Sequence, residues 1–388
     1  IIAIATNAWN IRRIPPTATE ELIHHIGTES AVLKLVLELY VSGKEDPSMV
    51  LDAVRYWSRE YHIDGIHLVG DAPLKLIGQD PYLSRLKLWA EYWNGVDEGS
   101  HRRLGWYNEG FLRDMRQVLK GDDGSLNRLA YRAKLNLENS AVINYMAGTN
   151  GFTLADMVSY NEKHNEANGW GNTDGADDNN SWNCGVEGDT TDPSVLALRR
   201  KMMMNACAVL MCSRGTPMFL AGDEFADTRY GNNNPYCQDN LISWLDWSLL
   251  EKNRALYEFF RYMIHFRKAH ACIRKDLEPS YLGFPSMSLH GLTPWKPDLP
   301  ESSHTACVLF SGYDDTLHKE DLVFLAVNTH WCSAALTLPQ LPDGYTWKIA
   351  VNTGDKKQQT FTDSEIPAAG SSVLLGERSV IVFVGERN

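Results

Sequence analysis

No CxxC pair and no regular cysteine spacing occurs in this chain, although it carries seven cysteines, at 184, 207, 212, 237, 272, 307 and 332. That argues against a disulfide framework and against a structural zinc centre. Reduced thiols in a cytoplasmic protein are the expectation. No apolar run approaches the ~18 residues needed to span a bilayer. No basic region precedes the opening Ile1-Ile2-Ala3-Ile4-Ala5-Thr6, so a signal peptide is not expected there. That segment reads as a strand, or as a chain that begins mid-domain. Basic residues are also in deficit: 37 Lys+Arg stand against 49 Asp+Glu, a net charge of −12. A nucleic acid or an anionic membrane wants a basic face, so neither is an expected partner. Asn172, Asp174, Asp177 and Asp178 gather oxygen donors but lack the D-x-[DN]-x-[DN]-G order of a calcium loop. No metal and no cofactor are expected.

What is present is ordinary globular material. The 388 residues are 44% hydrophobic and 22% charged, enough for a sizeable core. Leu33 to Val41 reads as a buried strand. Asp46-Pro47 then opens a helix, Asp as N-cap and Pro at the first helical position, with Val50, Val54, Trp57 and Tyr61 on one face. Strands are expected at Ile66–Val69, Leu86–Ala90, Ala141–Met146 and Pro217–Ala221. Helices are expected at Phe111–Leu119, from Asp192-Pro193 to about Cys212, and over Leu250–His270. This alternation predicts a parallel α/β sheet, open or closed into a barrel, over residues 1–274. Residues 275–388 change character. Strand patterns recur there at Thr305–Ser311, Asp321–Asn328, Ala334–Leu338, Thr346–Val351 and Ser379–Val384, which reads as an antiparallel β-sandwich. The stretch Asn161–Asn183, rich in Asn, Gly and Asp, is long for a structureless loop, and such loops are functional or disordered.

Two segments carry a resemblance. Residues 150–188 read NGFTLADMVSYNEKHNEANGWGNTDGADDNNSWNCGVEG, and residues 214–247 read RGTPMFLAGDEFADTRYGNNNPYCQDNLISWLDW. Together, and in this order, KHNEANG, SWNCG, GTPMFLAGDE, GNNNPYCQDN and SWLDW resemble the isoamylase and glycogen-debranching branch of glycoside hydrolase family 13. The resemblance extends more weakly from about Val32 to the C-terminus. Residues 1–30 match nothing placeable. It implies a (β/α)8 barrel followed by a β-sandwich, and cleavage of α-1,6 branch points in glycogen or starch with retention. That chemistry needs a carboxylate nucleophile and a carboxylic acid about 5–5.5 Å apart, at the C-terminal ends of barrel strands.

The chain departs from the family pattern at those strand ends. Against DVVFNH stands Glu38-Leu39-Tyr40-Val41-Ser42-Gly43, with Gly43 at the histidine. Against GFRFDLA stands Gly65-Ile66-His67-Leu68-Val69-Gly70, with His67 at the arginine and Val69 at the nucleophile. Against IAEPWD stands Trp89-Ala90-Glu91-Tyr92-Trp93-Asn94, where Glu91 keeps the acid. Against TAHDG stands Ala147-Gly148-Thr149-Asn150-Gly151, with Thr149 at the histidine and Asn150 at the third carboxylate. A valine cannot form a glycosyl ester or stabilise an oxocarbenium ion. Only about 45 residues precede the helix leading into the strand of His67, too few for the missing βαβ units. Either the chain is a fragment or the barrel is incomplete; an incomplete barrel would expose sheet edges that folded proteins cover, so a fragment of a longer protein or a miscalled start is the expectation.

The candidate residues follow. Glu91 is the retained acid position. Asp71, two residues beyond Val69, is the candidate displaced nucleophile, and Glu38 on the neighbouring strand is a second. His67 reads as a satisfied core histidine. Trp93, His164, Asn165 and Trp182 are candidate substrate contacts, with His164 open between steadying its loop and touching sugar. Asp223, Glu224 and Asp239 read as structural. Trp89, Trp106, Trp170 and Trp244 join Trp93 and Trp182 as possible stacking platforms, about half of them core. Three functional readings stand: a homologue that binds α-glucan and has lost hydrolysis; a residual glycosidase using Glu91 and Asp71; and a non-catalytic partner of an active debranching paralogue.

Overall fold

A computed structural model describes residues 2–6, 33–91, 93, 104–135, 141–297, 299–354, 361–365 and 372–388. Residues 7–32, and Tyr92 and Asn94 of the fifth-strand motif, lie outside the described residues. Seven parallel strands close into a barrel: β1 (Ile2–Thr6), β2 (Leu33–Val41), β3 (Gly65–Gly70), β4 (Lys87–Ala90), β5 (Leu104–Tyr107), β6 (Ala141–Tyr145) and β7 (Thr216–Leu220). Among the described residues the sheet has no open edge. β1 pairs with β2 on one side (Ile4 with Leu35) and with β7 on the other (Ile4 with Phe219). Closure satisfies the backbone groups that two bare sheet edges would leave unpaired. The architecture is a partial (β/α)8 barrel followed by a β-sandwich, with seven barrel strands among the described residues.

The helices form where local chemistry favours them. Helix α1 (Pro47–Tyr61) starts at Asp46, whose carboxylate accepts from Ser48 N and Met49 N. It buries Val50, Leu51 and Val54, while Tyr61 at its end is exposed. A one-turn helix α2 (Leu74–Gly78) follows β3. Helix α3 (Glu109–Lys120) is capped by Asn108, which accepts from Phe111 N, and ends at Gly121 in the left-handed conformation. Helices α4 (Leu126–Lys134) and α5 (Leu154–Met157) follow. Helix α6 (Pro193–Met211) begins at Asp192 with Pro193 in its first turn. The helix expected over Leu250–His270 is two, α7 (Ser248–Lys252) and α8 (Arg254–Ala269). The chain breaks at Asn253, whose side chain donates to the Phe225 carbonyl instead.

After α8 come β8 (Met287–His290), β9 (Thr305–Asp314), β10 (Lys319–Asn328), β11 (Ala334–Thr337), β12 (Tyr345–Asn352), β13 (Phe361–Glu365), β14 (Ser372–Leu375) and β15 (Ser379–Arg387). Six of them form an antiparallel sheet in the order β13-β12-β15-β10-β9-β8, and β11 pairs with β14. One face of the large sheet, with Val308, Phe310, Val323, Leu325, Val380 and Val382, joins the same core cluster as α6 and α8. Cys207 and Cys212 lie in that cluster too. All seven cysteines are free thiols, and Cys237 and Cys332 are exposed. No helix among the described residues is long and apolar enough to cross a membrane.

Candidate functional site

Strand alternation builds the site. Along β3, Ile66 and Leu68 face outward into the cluster beneath α1, so His67 and Val69 face inward. The same parity places Val36 and Trp89 in the barrel interior with Ile143, Tyr145, Met218 and Leu220. Carried on past the strand ends, it delivers Glu91 and Thr149 to one cleft, which Asn150 also lines. The cleft holds about 420 Å³ and is lined by Glu38, His67, Val69, Glu91, Tyr107 and Tyr145, by Arg113 and Arg116 of α3, and by Thr149, Asn150, Asn179, Asn233 and Asn234, among others.

His67 sits at its floor, and its surroundings differ from the satisfied core histidine expected. Nδ1 lies 3.0 Å from Glu38 Oε2. The ring stacks on Tyr107 at 3.8 Å, and Tyr107 stacks on Tyr145 at 4.1 Å. Burial pushes both phenols well above their ordinary range, so both stay protonated. Nε2 is buried and has no hydrogen-bond partner among the described residues, and neither has the buried Oγ1 of Thr149. With Nδ1 against the Glu38 carboxylate, Nε2 is the ring nitrogen left to meet a ligand or water. Such orphaned groups each cost about 1–3 kcal/mol unless a ligand or water meets them.

Arg116 ties the wall together. Its Nε and Nη2 donate to the Met146 carbonyl at 2.8 and 2.6 Å, Nη2 also to Phe152 O at 2.9 Å, and Nη1 to Asn179 O at 3.0 Å. Burial lowers its pKa to about 10, which still leaves it charged at neutral pH. The loop 161–183 is built, with a turn of 3₁₀-helix at Glu166–Asn168 and a lattice of amide side chains. Asn165 donates to Asp174 O and to Asn233 Oδ1, each at 2.8 Å, and Asn233 donates to Asn179 Oδ1 at 2.9 Å.

Below the far side lies a group of buried carboxyls. Asp223 accepts from Leu154 N and Leu220 N, Glu224 from Gly222 N, and Asp227 from Asp246 N. They hold loops, as expected for Asp223 and Glu224. Burial raises Asp223 to about 6, Asp227 to about 7 and Glu224 to about 8. The unfolded chain loses these protons near its ordinary values of 3.8 and 4.5. Between about pH 4 and pH 8 the folded state therefore binds more protons, and stability falls as pH rises through that window. The urea midpoint is expected to be higher at about pH 5.5 than at about pH 8. A midpoint that climbs towards pH 8 would show these carboxyls already ionised in the folded protein.

Several expected contacts are not brought to the cleft. Asp71 shares the parity of Val69, but Gly70 at φ +80° turns the chain before it. Asp71 N–H donates to the Val41 carbonyl, and the exposed side chain lies against Gly43, outside the cleft lining. Trp93 donates to the Gly105 carbonyl at 2.9 Å and packs on the outer cluster. His164 lies 3.5 Å from Glu187, and Asn165 is spent on Asp174 of its own loop and on Asn233. Trp182 lies edge-on to Trp331, and Arg378 sits over both rings. Asp239 accepts from Trp244 Nε1 at 3.0 Å. Among the described residues no His, Cys, Asp and Glu group is placed to hold a metal ion.

Comparison with known proteins decides the kinship. The chain is 42% identical to the glycogen operon protein GlgX homolog of Mycobacterium tuberculosis, over 84% of this chain and 52% of that protein. The chain is a homologue of isoamylase-type debranching proteins. Isoamylase 3 of Oryza sativa subsp. japonica is 34% identical over 86% of this chain and 45% of its own length. The glycogen debranching enzyme of Serratia proteamaculans is 38% identical over 58% of this chain and 38% of its own. The chain thus spans about half the length, or less, of these relatives. Together they support the debranching branch of glycoside hydrolase family 13. No protein-family model matches the chain. Among solved structures, the Group B Streptococcus pullulanase in complex with maltotetraose superposes with a TM-score of 0.62 over 91% of this chain and 55% of that one, at 12% identity. The pullulanase from Bacillus acidopullulyticus gives 0.58 over 87% and 40%, at 19% identity. At such identities these superpositions speak for the fold.

Sequence reasoning missed Tyr107, Tyr145 and Arg116. Tyr145 follows the inward parity of Ala141–Met146 and could have been read from it. Arg116 stood out as a cation amid the apolar Phe111, Met115, Val118 and Leu119. Tyr107 had no signal, because β5 is four residues long with no apolar run.

Proposed function

We propose that this debranching-enzyme homologue binds α-glucan in the cleft at the C-terminal end of its barrel and does not hydrolyse it. The observation that carries this reading is the cleft itself. It is open, its lining carries many Asn, Glu and Arg side chains, and two buried atoms of lining residues, His67 Nε2 and Thr149 Oγ1, lack partners among the described residues. Sugar hydroxyls both donate and accept, so they can satisfy either a ring nitrogen or a hydroxyl left without a partner. The volume suits a small-molecule site. The maltotetraose complex of the pullulanase with this fold supports the ligand class. Loss of chemistry rests on Val69 and Asn150, which flank Glu91 in the lining and supply no carboxylate.

The residual-glycosidase reading needs a second carboxylate opposite Glu91. Asp71 is turned away, and Glu38 lies opposite His67 in register, one strand further round and lower in the barrel, with His67 bonded to it.

Titration calorimetry with maltotetraose is expected to show saturable binding. Reducing-end release from glycogen should match a heat-killed control. His67→Phe and Thr149→Val are each expected to weaken binding by about 5- to 10-fold, one hydrogen bond apiece. Asp71→Asn should leave binding unchanged. Release by folded wild type that vanishes in Glu91→Gln would overturn the reading.

A further inference from the structure

Six tryptophans were possible stacking platforms, and the fold disposes of most of them. Trp89 is fully buried in the barrel. Trp93, Trp182 and Trp244 are engaged as described above, and Trp106 is half-buried on β5. Trp170 is different. It is 61% exposed, and its Nε1 donates at 3.0 Å to the hydroxyl of Tyr236, itself 59% exposed. Two aromatic rings thus stand in solvent, tied to each other from separate loops.

Both loops are held rigidly. Asn168 Nδ2 donates to Asp174 Oδ2 and Asn234 O, Asn232 Nδ2 donates to Asn168 Oδ1, and Gln238 Nε2 donates to Ala167 O, all at 2.8–2.9 Å. The same loops line the cleft through Gly175, Ala176, Asn233 and Asn234. Tyr236 follows Asn234 by two residues, so their Cα atoms are at most about 7.6 Å apart. Tyr236 thus stands two residues from the cleft lining, and Trp170 is hydrogen-bonded to it. Exposed rings gain nothing from the core. Locking the indole by a hydrogen bond settles in advance the rotamer entropy that binding would otherwise cost. The surroundings are Asn, Asp and Gly, hydrogen-bonding groups around a small apolar face. That matches a pyranose, with its C–H face and ring of hydroxyls, better than an apolar peptide.

We propose that Trp170 and Tyr236 form a fixed aromatic platform that takes the sugar units of an α-glucan chain emerging from the cleft, so that the protein favours long chains over short ones. This rests on the glucan reading of the cleft and extends it. Calorimetry with maltotriose and maltoheptaose tests it, with Trp fluorescence as a second readout. Wild type should bind maltoheptaose more tightly and show quenching. Trp170→Ala should lose about 5- to 10-fold for maltoheptaose and nothing for maltotriose. Tyr236→Phe keeps both rings and frees the indole, and should lose about 2- to 3-fold for maltoheptaose alone. Both positions are exposed, and matching thermal midpoints will show that the variants fold. His67→Phe, by contrast, should weaken both sugars alike. Maltoheptaose bound no more tightly than maltotriose, or equally well by Trp170→Ala, overturns the platform and leaves the cleft reading standing. Absence of binding to either sugar overturns both.

Discussion

A variant carrying Val69→Asp, Asn150→Asp and His67→Arg releases reducing ends from glycogen at about 10²–10⁴ times the wild-type background. The expectation follows from register. His67 pairs with Trp89 across β3 and β4, so Val69, two residues on, stands opposite Glu91. Neighbouring strands are about 4.8 Å apart, and a retaining pair of carboxyls needs about 5–5.5 Å. An Asp at 69 therefore falls near the required separation from Glu91 without moving the backbone. An Asp at 150 enters the same cleft. An Arg at 67 faces the new carboxylate from the same side of β3 and displaces the Glu38 contact. Reducing-sugar assay checks the rate, and calorimetry with maltotetraose checks that the cleft still binds. A folded, glucan-binding triple variant that stays at background would show that the three strand ends do not converge closely enough, and would remove the basis for reading Val69 and Asn150 as lost catalytic positions.

Arg116→Ala lowers the unfolding free energy by about 3–5 kcal/mol, the scale for breaking a buried charged network. Three carbonyls, from Met146, Phe152 and Asn179, lose their donor together. They belong to the end of β6 and to the two loops of Phe152 and Asn179. Arg116→Lys recovers only part of the loss, since a single ammonium cannot span the fork of acceptors that a guanidinium reaches. Urea denaturation by circular dichroism reads the difference, and glucan affinity should fall in step because Asn179 and Thr149 line the same cleft. A loss under about 1 kcal/mol would mean that water takes over the carbonyls.

Much of this architecture could be read before any coordinates. Asp46-Pro47 and Asp192-Pro193 announce helix starts through cap chemistry that involves only adjacent residues. Leu33–Val41 and Ala141–Met146 announce strands through short segments made mostly of apolar residues. Alternation along the barrel strands carries Val69, Glu91 and Thr149 to one cleft, and family likeness located the strand ends. Other features escaped for identifiable reasons. β5 is too short to show a period. The break at Asn253 depends on a carbonyl 28 residues away. Asp71 obeyed the period-two rule on paper, but one glycine in the left-handed region cancelled it.

The sequence by itself determined the strand–helix order, the β-rich C-terminal region, the absence of carboxylates at 69 and 150, and the kinship those motifs carry. Each of these depends on residue identity or on neighbours a few positions apart. Only the tertiary structure decided that β1 closes the barrel, that His67 faces Glu38 with Nε2 left over, that Arg116 binds three distant carbonyls, and that Trp170 alone among the six tryptophans weighed as platforms stands well clear of the core. Those outcomes are set by pairings between residues tens to hundreds of positions apart, and no local pattern in a chain encodes which of its polar groups will find a partner when it folds.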